Sequence, residues 1–226
     1  MSLDKQITIG MSGHIDHGKT SIVKAITGKN TDSLKQERER GMTIDLGFAY
    51  LNEKITIIDV PGHEKFVKNM MSGSSGIDMA ILVIAADDGV MPQTIEHLEI
   101  LKFLKIKYGF IILNKIDLVS QDWIDLVQSD INDVIKDSFL DNCEIVKVSS
   151  VKGLGIDRIK EKIHDLYKLI PVRKTSGIFR MYVDRVFSKT GFGCVVTGTV
   201  AGGSISIGDI VELLPGGERV KVRTIQ

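Results

Sequence analysis

Residues 10–20, GMSGHIDHGKT, constrain this chain more than any other stretch. The run QITI before them is β-branched and apolar, and the segment SIVKAIT after them is amphipathic. Gly13 to Thr20 therefore fit G-x-x-x-x-G-K-[ST] between a strand and a helix, the setting in which that pattern forms a phosphate cradle. Glycines let the backbone curl so that successive N–H groups point inward, and the positive end of the helix adds to the attraction for an anion. Lys19 is expected to reach the β- and γ-phosphates of a nucleotide, with the Thr20 hydroxyl on a magnesium ion. Asp16, His17, Gly18 and Ser21 complete the expected phosphate-lining set, Asp16 assisting the loop or a bound cation. The imidazoles of His14 and His17 are read as packing groups of the loop, not as catalytic ones. The competing reading is a glycine-rich turn that exposes a Lys-Thr pair.

Two further motifs follow in an informative order. Asp59 ends the strand-like run KITIIDV and precedes Pro61, Gly62 and His63. An acidic residue at the tip of a parallel strand beside a phosphate loop can hold magnesium, directly or through water. It can also cap the helix that EKFVKNMMSG suggests. Gly62 has no side chain to keep its N–H from a γ-phosphate. The run FIILNKID then places Asn114, Lys115 and Asp117 at the end of another strand. A carboxylate can accept from both N1–H and the exocyclic amine of guanine, which adenine cannot match, and unmatched buried partners make such discrimination strong. The aliphatic stem of Lys115 can cover the base. The expected ligand is a guanine nucleotide, GTP or GDP, with Mg2+.

Around these motifs, strand-like and helix-like segments alternate. QITIGMSG, KITIIDVPG, MAILVIAADDG, YGFIILNKID and CEIVKVSS are short apolar runs of the kind buried on both faces of a parallel sheet. Helical periodicity covers 92–105 (Ile95, Leu98, Leu101, Leu104), 121–138 (Trp123, Leu126, Val127, Ile131, Val134, Ile135) and 154–169 (Ile156, Ile159, Ile163, Leu166). Such alternation implies right-handed crossovers and a three-layer α/β domain over 1–172. After LIPVRKTSG the pattern changes. FRMYVDRVF, GCVVTGTV, DIVELL and RVKVRTI are short alternating segments separated by paired glycines, which predicts an all-β region over 173–226. About 50 residues is short for a closed barrel, so an incomplete barrel is expected.

Composition narrows the class without deciding it. Apolar residues make up 43% and charged residues 26%, as in soluble globular proteins. No segment approaches the roughly 18–20 apolar residues that span a bilayer. MSLDKQITIG does not have the layout of a signal peptide. Cys143 and Cys194, far apart and without metal-site spacing, are expected to be reduced, partly buried thiols of a cytoplasmic protein. Residues 1–172 carry 21 Lys/Arg against 25 Asp/Glu, and residues 173–226 carry 8 against 4. Bulk charge therefore demands no nucleic-acid partner, although the basic second part is compatible with one.

The order GHIDHGKT, RGMTID, DVPGHE, NKID and VSSVKG resembles the translational GTPases, over essentially the whole first domain. The resemblance implies a P-loop GTPase domain, with a mostly parallel sheet flanked by helices, followed by a β-barrel domain. It implies that Thr43 completes the magnesium shell and contacts the γ-phosphate. His63 matches the histidine that orients the attacking water, and Ile15 and Met42 match the apolar pair that restrains it. Ser149 and Ser150 match the loop that supports the guanine, with Ser150 in place of the commoner alanine. His63 also has a case from position, directly after the Pro-Gly turn, though it can equally cap the following helix. The charged run 30–41, NTDSLKQERERG, is a solvated face by composition and, by resemblance, a first switch segment.

Within that family, RGMTIDLGFAY, DVPGHEKFVKNMMSG and FRMYVDRVFSKTGFGCVVTGTV are most similar to the selenocysteine-specific elongation factors. Asp184-Arg185 stands where elongation factor Tu usually has Glu-Asp, in the barrel that holds the aminoacyl end. A selenol is more acidic than a serine hydroxyl, so a permanently charged Arg185, oriented by Asp184, can favour a selenolate. The plain alternative is a surface Asp-Arg pair worth about 0–1 kcal/mol. The resemblance implies selenocysteinyl-tRNA and the ribosome as partners, ribosome-stimulated GTP hydrolysis, and a messenger-RNA hairpin bound by a C-terminal region outside this chain. Elongation factor Tu, the gamma subunit of initiation factor two, the GTPase subunit of sulfate activation and a GTP-regulated assembly module remain the alternatives.

Overall fold

The structure is a computed structural model, and it describes residues 5–29, 47–59, 76–172, 177–189, 191 and 193–225. The chain divides into two units, Met1–Val172 and Arg173–Gln226.

In the first unit, β1 (Ile7–Ser12) leads through the glycine loop into α1 (Lys19–Thr27). β2 (Gly47–Asn52) and β3 (Ile55–Asp59) form a hairpin, and β4 (Met79–Ala85) is followed by α2 (Pro92–Phe103). β5 (Gly109–Asn114), α3 (Gln121–Ile135), β6 (Ile145–Lys147) and α4 (Ile156–Leu169) complete the unit. The six strands lie in the order β2-β3-β1-β4-β5-β6. All neighbours are parallel except β2, which pairs antiparallel with β3 along the edge. That edge strand has no counterpart in the sequence reading, because GFAYLN alternates imperfectly and follows the charged run.

The apolar runs are continuous because both faces of the sheet are covered. Ile81 and Val83 of β4 and Phe110 and Ile112 of β5 face one side, against Ile22, Val23 and Ile26 of α1 and Ile156, Ile159 and Ile163 of α4. Leu82, Ile84, Ile111 and Leu113 face the other, against Leu98 of α2 and Ile124, Val127, Ile131 and Ile135 of α3. Each fully buried aliphatic side chain contributes about 1.5–3 kcal/mol relative to exposure, so this double-sided packing dominates the stability of the unit.

Two helical stripes are rotated from the expected ones. On α2 the buried residues are Thr94, His97, Leu98 and Leu101, whereas Ile95 is 45% exposed. On α3 they are Ile124, Val127, Ile131 and Ile135, and Trp123 and Leu126 are exposed. A helix laid on a twisted sheet buries the face its ends are steered to, and one apolar residue at the margin does not outweigh that. The helices also end earlier than their periodicity: α2 stops at Phe103 and α3 at Ile135.

The second unit contains two antiparallel ladders, β7 (Arg180–Lys189) with β8 (Gly193–Gly202) and β9 (Ile210–Leu213) with β10 (Glu218–Lys221). The β7–β8 register shifts between Val183 and Arg185: Val183 pairs with Gly198 and Arg185 with Thr197. Asp184 is thus the extra residue of a β-bulge. Cys143 and Cys194 are free, and Cys194 is exposed, not partly buried as expected. Its strand belongs to a two-stranded ladder, which has too few layers to bury every side chain.

Candidate functional site

The carboxyl ends of β1, β3, β4, β5 and β6 share one edge of the sheet. The chain leaves β1, passes to β3 on one side and then places β4 on the other. Such a reversal opens a crevice at the carboxyl end of the central strand, where α/β sheets bind ligands.

The glycine loop fills that crevice. Gly13 leaves β1 at φ 134°, and a Cβ there would stand 2.2 Å from the Val83 carbonyl oxygen, so only glycine fits. The loop closes at Gly18 (φ 85°), where a Cβ would meet Asn114 Nδ2 at 2.3 Å, and α1 begins at Lys19. Lys19 is buried, and its ammonium donates to the carbonyls of Gly13 (2.9 Å) and His14 (2.7 Å). Burial pulls its pKa down to about 8, opposed by the charges of Asp59 and Asp16. A cation held in this way is ready to turn toward an incoming polyphosphate. Asp16 is exposed in the left-handed region (φ 60°), and Ser21 is exposed in the first turn of α1.

Thr20 and Asp59 come together from α1 and β3. The Thr20 hydroxyl donates to Asp59 Oδ2 at 2.6 Å, and Asp59 is fully buried. A hydroxyl and a carboxylate are hard oxygen donors of the kind magnesium takes alongside phosphate oxygens. The residues present therefore fit the expected ion. Thr43, Gly62, His63 and Met42 lie outside the described residues, as does any helix that Asp59 could cap.

On the base side, Asn114 ends β5 and is buried. Its Nδ2 donates to the His17 carbonyl at 3.0 Å and its Oδ1 accepts from the Ser150 amide at 3.1 Å. Asn114 is thus a tie between two loops. Lys115 sits in the left-handed region (φ 61°) and pairs with Asp87 (3.0 Å) and Asp88 (3.6 Å). Asp117 accepts a hydrogen bond from the Ser149 hydroxyl, which holds its carboxyl below the usual range, and Lys152, at 3.6 Å, adds to the effect. The Ser149 oxygen in turn accepts from the Lys152 amide (3.1 Å). Ser149 therefore acts on Asp117 through its side chain, a role the resemblance did not specify.

At this edge the expected loop residue His17 is joined by Asp88, Gln93 and His97, which were not singled out from the sequence. His17 is buried, with Nδ1 donating to the Val83 carbonyl at 3.3 Å and Nε2 3.7 Å from Asp88. Burial is the main cause of a pKa pushed down to about 4. Gln93 and His97 of α2 reach the glycine loop from below, accepting from the amides of Ile15 (3.3 Å) and Gly13 (2.8 Å). Trp123 Nε1 donates to the Ala86 carbonyl at 2.8 Å. The period of α2 could have found His97, three residues after Thr94 and four before Leu101. Nothing local points to its partner.

Residues 4–169 match the sequence profile of the elongation factor Tu GTP binding domain. The chain is 49% identical over 224 residues to a selenocysteine-specific elongation factor of Desulfomicrobium baculatum, covering 97% of this chain and 35% of that protein. It superposes with a TM-score of 0.90 and 38% identity on the crystal structure of a bacterial selenocysteine-specific elongation factor, covering 97% of this chain and 38% of the other. The elongation factor SelB of Methanococcus maripaludis, in complex with the GTP analogue GppNHp, gives a TM-score of 0.86 at 33% identity, with 98% and 47% covered. The chain spans about a third to a half of the length of the curated relatives it matches. With a matching profile over most of its length and the phosphate loop, the Thr20–Asp59 pair and Asp117 set along one sheet edge, this chain belongs to the elongation factor Tu GTP-binding domain family.

Proposed function

We propose that this chain binds GTP with Mg2+ and hydrolyses it to GDP and phosphate, as the N-terminal part of an elongation factor that delivers selenocysteinyl-tRNA to the ribosome. The observation that carries the nucleotide reading is the convergence of Lys19, the Thr20–Asp59 pair and Asp117 on the carboxyl edge of one sheet. In this reading unit Met1–Val172 is the GTP-binding domain, and the second unit is the start of a translation-factor barrel that continues beyond this chain.

The loop from Gly13 to Ser21 surrounds the phosphates, and Lys19 trades its two carbonyl acceptors for phosphate oxygens. Thr20, Asp59 and Thr43 hold the magnesium ion, which neutralises charge on the phosphates when bound. Asn114 keeps the base loop against the phosphate loop, the Lys115 stem covers the base, and Asp117 accepts from its N1–H and amine. Ser149 and Ser150 hold the wall around it. A water oxygen, oriented by His63 with Gly62 beside it, forms a bond to the γ-phosphorus as the bond to the bridging oxygen breaks. GDP departs with that electron pair, and the water's proton passes to phosphate or solvent. Positioning and charge stabilisation are the protein's main contributions to such a transfer.

Identity over nearly the whole chain to a selenocysteine-specific factor favours that reading over elongation factor Tu, initiation factor two gamma and the sulfate-activation GTPase. Arg185, oriented by Asp184, would pair with the selenolate, since its guanidinium is permanently charged. The ribosome would stimulate hydrolysis, a messenger-RNA hairpin would bind a region outside this chain, and the factor would work in the cytoplasm. Among the described residues no helix is long and apolar enough to cross a membrane.

Two measurements test this. Asp117→Asn should weaken GTP binding at least about 100-fold and improve binding of xanthosine triphosphate, whose 2-oxo group can accept from an amide; unchanged guanine preference would remove Asp117 from the site. In the full-length factor, GTP-dependent affinity for one tRNA charged with selenocysteine or with serine should favour selenocysteine, less so after Arg185→Ala. Preference that survives the substitution moves the selective contact elsewhere, and no preference returns the ordinary factors to first place.

A further inference from the structure

We propose that His97 and Gln93 of α2 are positioning residues for the nucleotide, which hold two amides of the phosphate loop and so set how long a bound guanine nucleotide stays. This rests on the GTP-binding reading above.

The two side chains stand four residues apart, on one face of the helix. His97 is 1% exposed, and its Nδ1 accepts from the Gly13 amide at 2.8 Å. Gln93 Oε1 accepts from the Ile15 amide at 3.3 Å. These amides flank His14, and the carbonyls of Gly13 and His14 are the two groups that hold the Lys19 ammonium. A continuous chain of hydrogen bonds therefore runs from α2, through the loop, to the cation that meets the phosphates. Only an unprotonated Nδ1 can accept, so the imidazole is neutral with its proton on Nε2. Burial, with the charges of Lys19 and His14 nearby, pushes the His97 pKa down to about 3 and keeps it an acceptor.

Without the acceptor, the Gly13 amide is left buried and unmatched, which favours rotation of the peptide around Gly13. That rotation moves the carbonyl under Lys19, and the nucleotide loses its fixed partner. The site gains nothing in direct contact from His97. Its contribution is the shape of the loop.

The test measures release of a fluorescent GDP analogue by stopped flow from the full chain and its variants. His97→Leu should release it about 5- to 10-fold faster, the scale of one hydrogen bond, with the association rate unchanged. His97→Asn, whose Oδ1 overlays Nδ1, should stay within about 2-fold of wild type, a rescue that packing alone does not explain. Equal release from His97→Leu, or no rescue by His97→Asn, overturns the proposal. If His97→Leu does not fold, the half-buried Gln93→Leu takes its place, and wild-type release from it overturns the brace. Should the wild-type chain bind no guanine nucleotide, the function reading fails. The brace is then judged by hydrogen exchange at the Gly13 amide, which should be protected in wild type and His97→Asn and exposed in His97→Leu. Equal exchange in all three overturns it.

Discussion

Asn114 donates from the end of β5 to the carbonyl of His17 in the phosphate loop at 3.0 Å, across 97 residues of chain, while its own Oδ1 holds the Ser150 amide. One buried side chain thus joins the loop after β1 to the loop after β6. Pre-organisation of this kind lowers the ordering cost of binding.

Asn114→Ala should therefore destabilise the ligand-free chain as well as weaken binding. It leaves the buried His17 carbonyl unmatched, at about 1–3 kcal/mol, and the part-buried Ser150 amide, at about 1 kcal/mol. Urea unfolding without nucleotide should show a loss of about 2–4 kcal/mol. An unchanged midpoint would mean that the tie forms only with ligand.

Thr20→Val removes the donor that reaches Asp59 at 2.6 Å. The expected cost to the ligand-free chain is about 1–3 kcal/mol. The sharper readout is magnesium: chelation should weaken nucleotide binding in wild type and have little effect in the variant. A chelator response of wild-type size would exclude Thr20 as a ligand.

Asp87→Ala should have a small effect. The Lys115–Asp87 pair is a quarter to a third exposed, so solvent screens it and it contributes less than about 1 kcal/mol. Nucleotide affinity should fall by about 2- to 5-fold at low salt and approach wild type as salt rises. A salt-independent loss would point to a backbone role for Asp87.

Acid should unfold the first unit from a higher pH than its carboxylates alone would dictate. The pKa values of His17 and His97 are pushed down from 6.5, to about 4 and about 3, mainly by burial. Between those values and 6.5 the unfolded chain binds more protons, so stability is lost as pH falls through that window. Each such histidine contributes a slope of up to about 1.4 kcal/mol per pH unit. His97→Asn removes one of the two groups and should flatten the dependence of the urea midpoint between pH 6.5 and 4. A profile parallel to wild type would mean that His97 titrates normally.

Local chemistry determined a large part of this protein. Gly13, Gly18, Lys19 and Thr20 are readable because a backbone that must curl around anions needs glycine where a Cβ meets a carbonyl, and a cation and hydroxyl after it. The parallel strands are readable because strands covered on both faces must be apolar throughout, as β4 is. Only the tertiary structure decided what those elements meet. The ties from Asn114 to His17 and from His97 to Gly13 join segments 97 and 84 residues apart, the turn of α2 that hides His97 and exposes Ile95 is set by what packs on that helix, and β2 takes its place from antiparallel pairing with β3. Hydrophobic period says that a helix has a covered face, and on α2 and α3 packing turned that face away from Ile95, Trp123 and Leu126. The partner of a buried polar group is chosen by the packing of distant elements, because only there do its donor and acceptor come within 3 Å of each other.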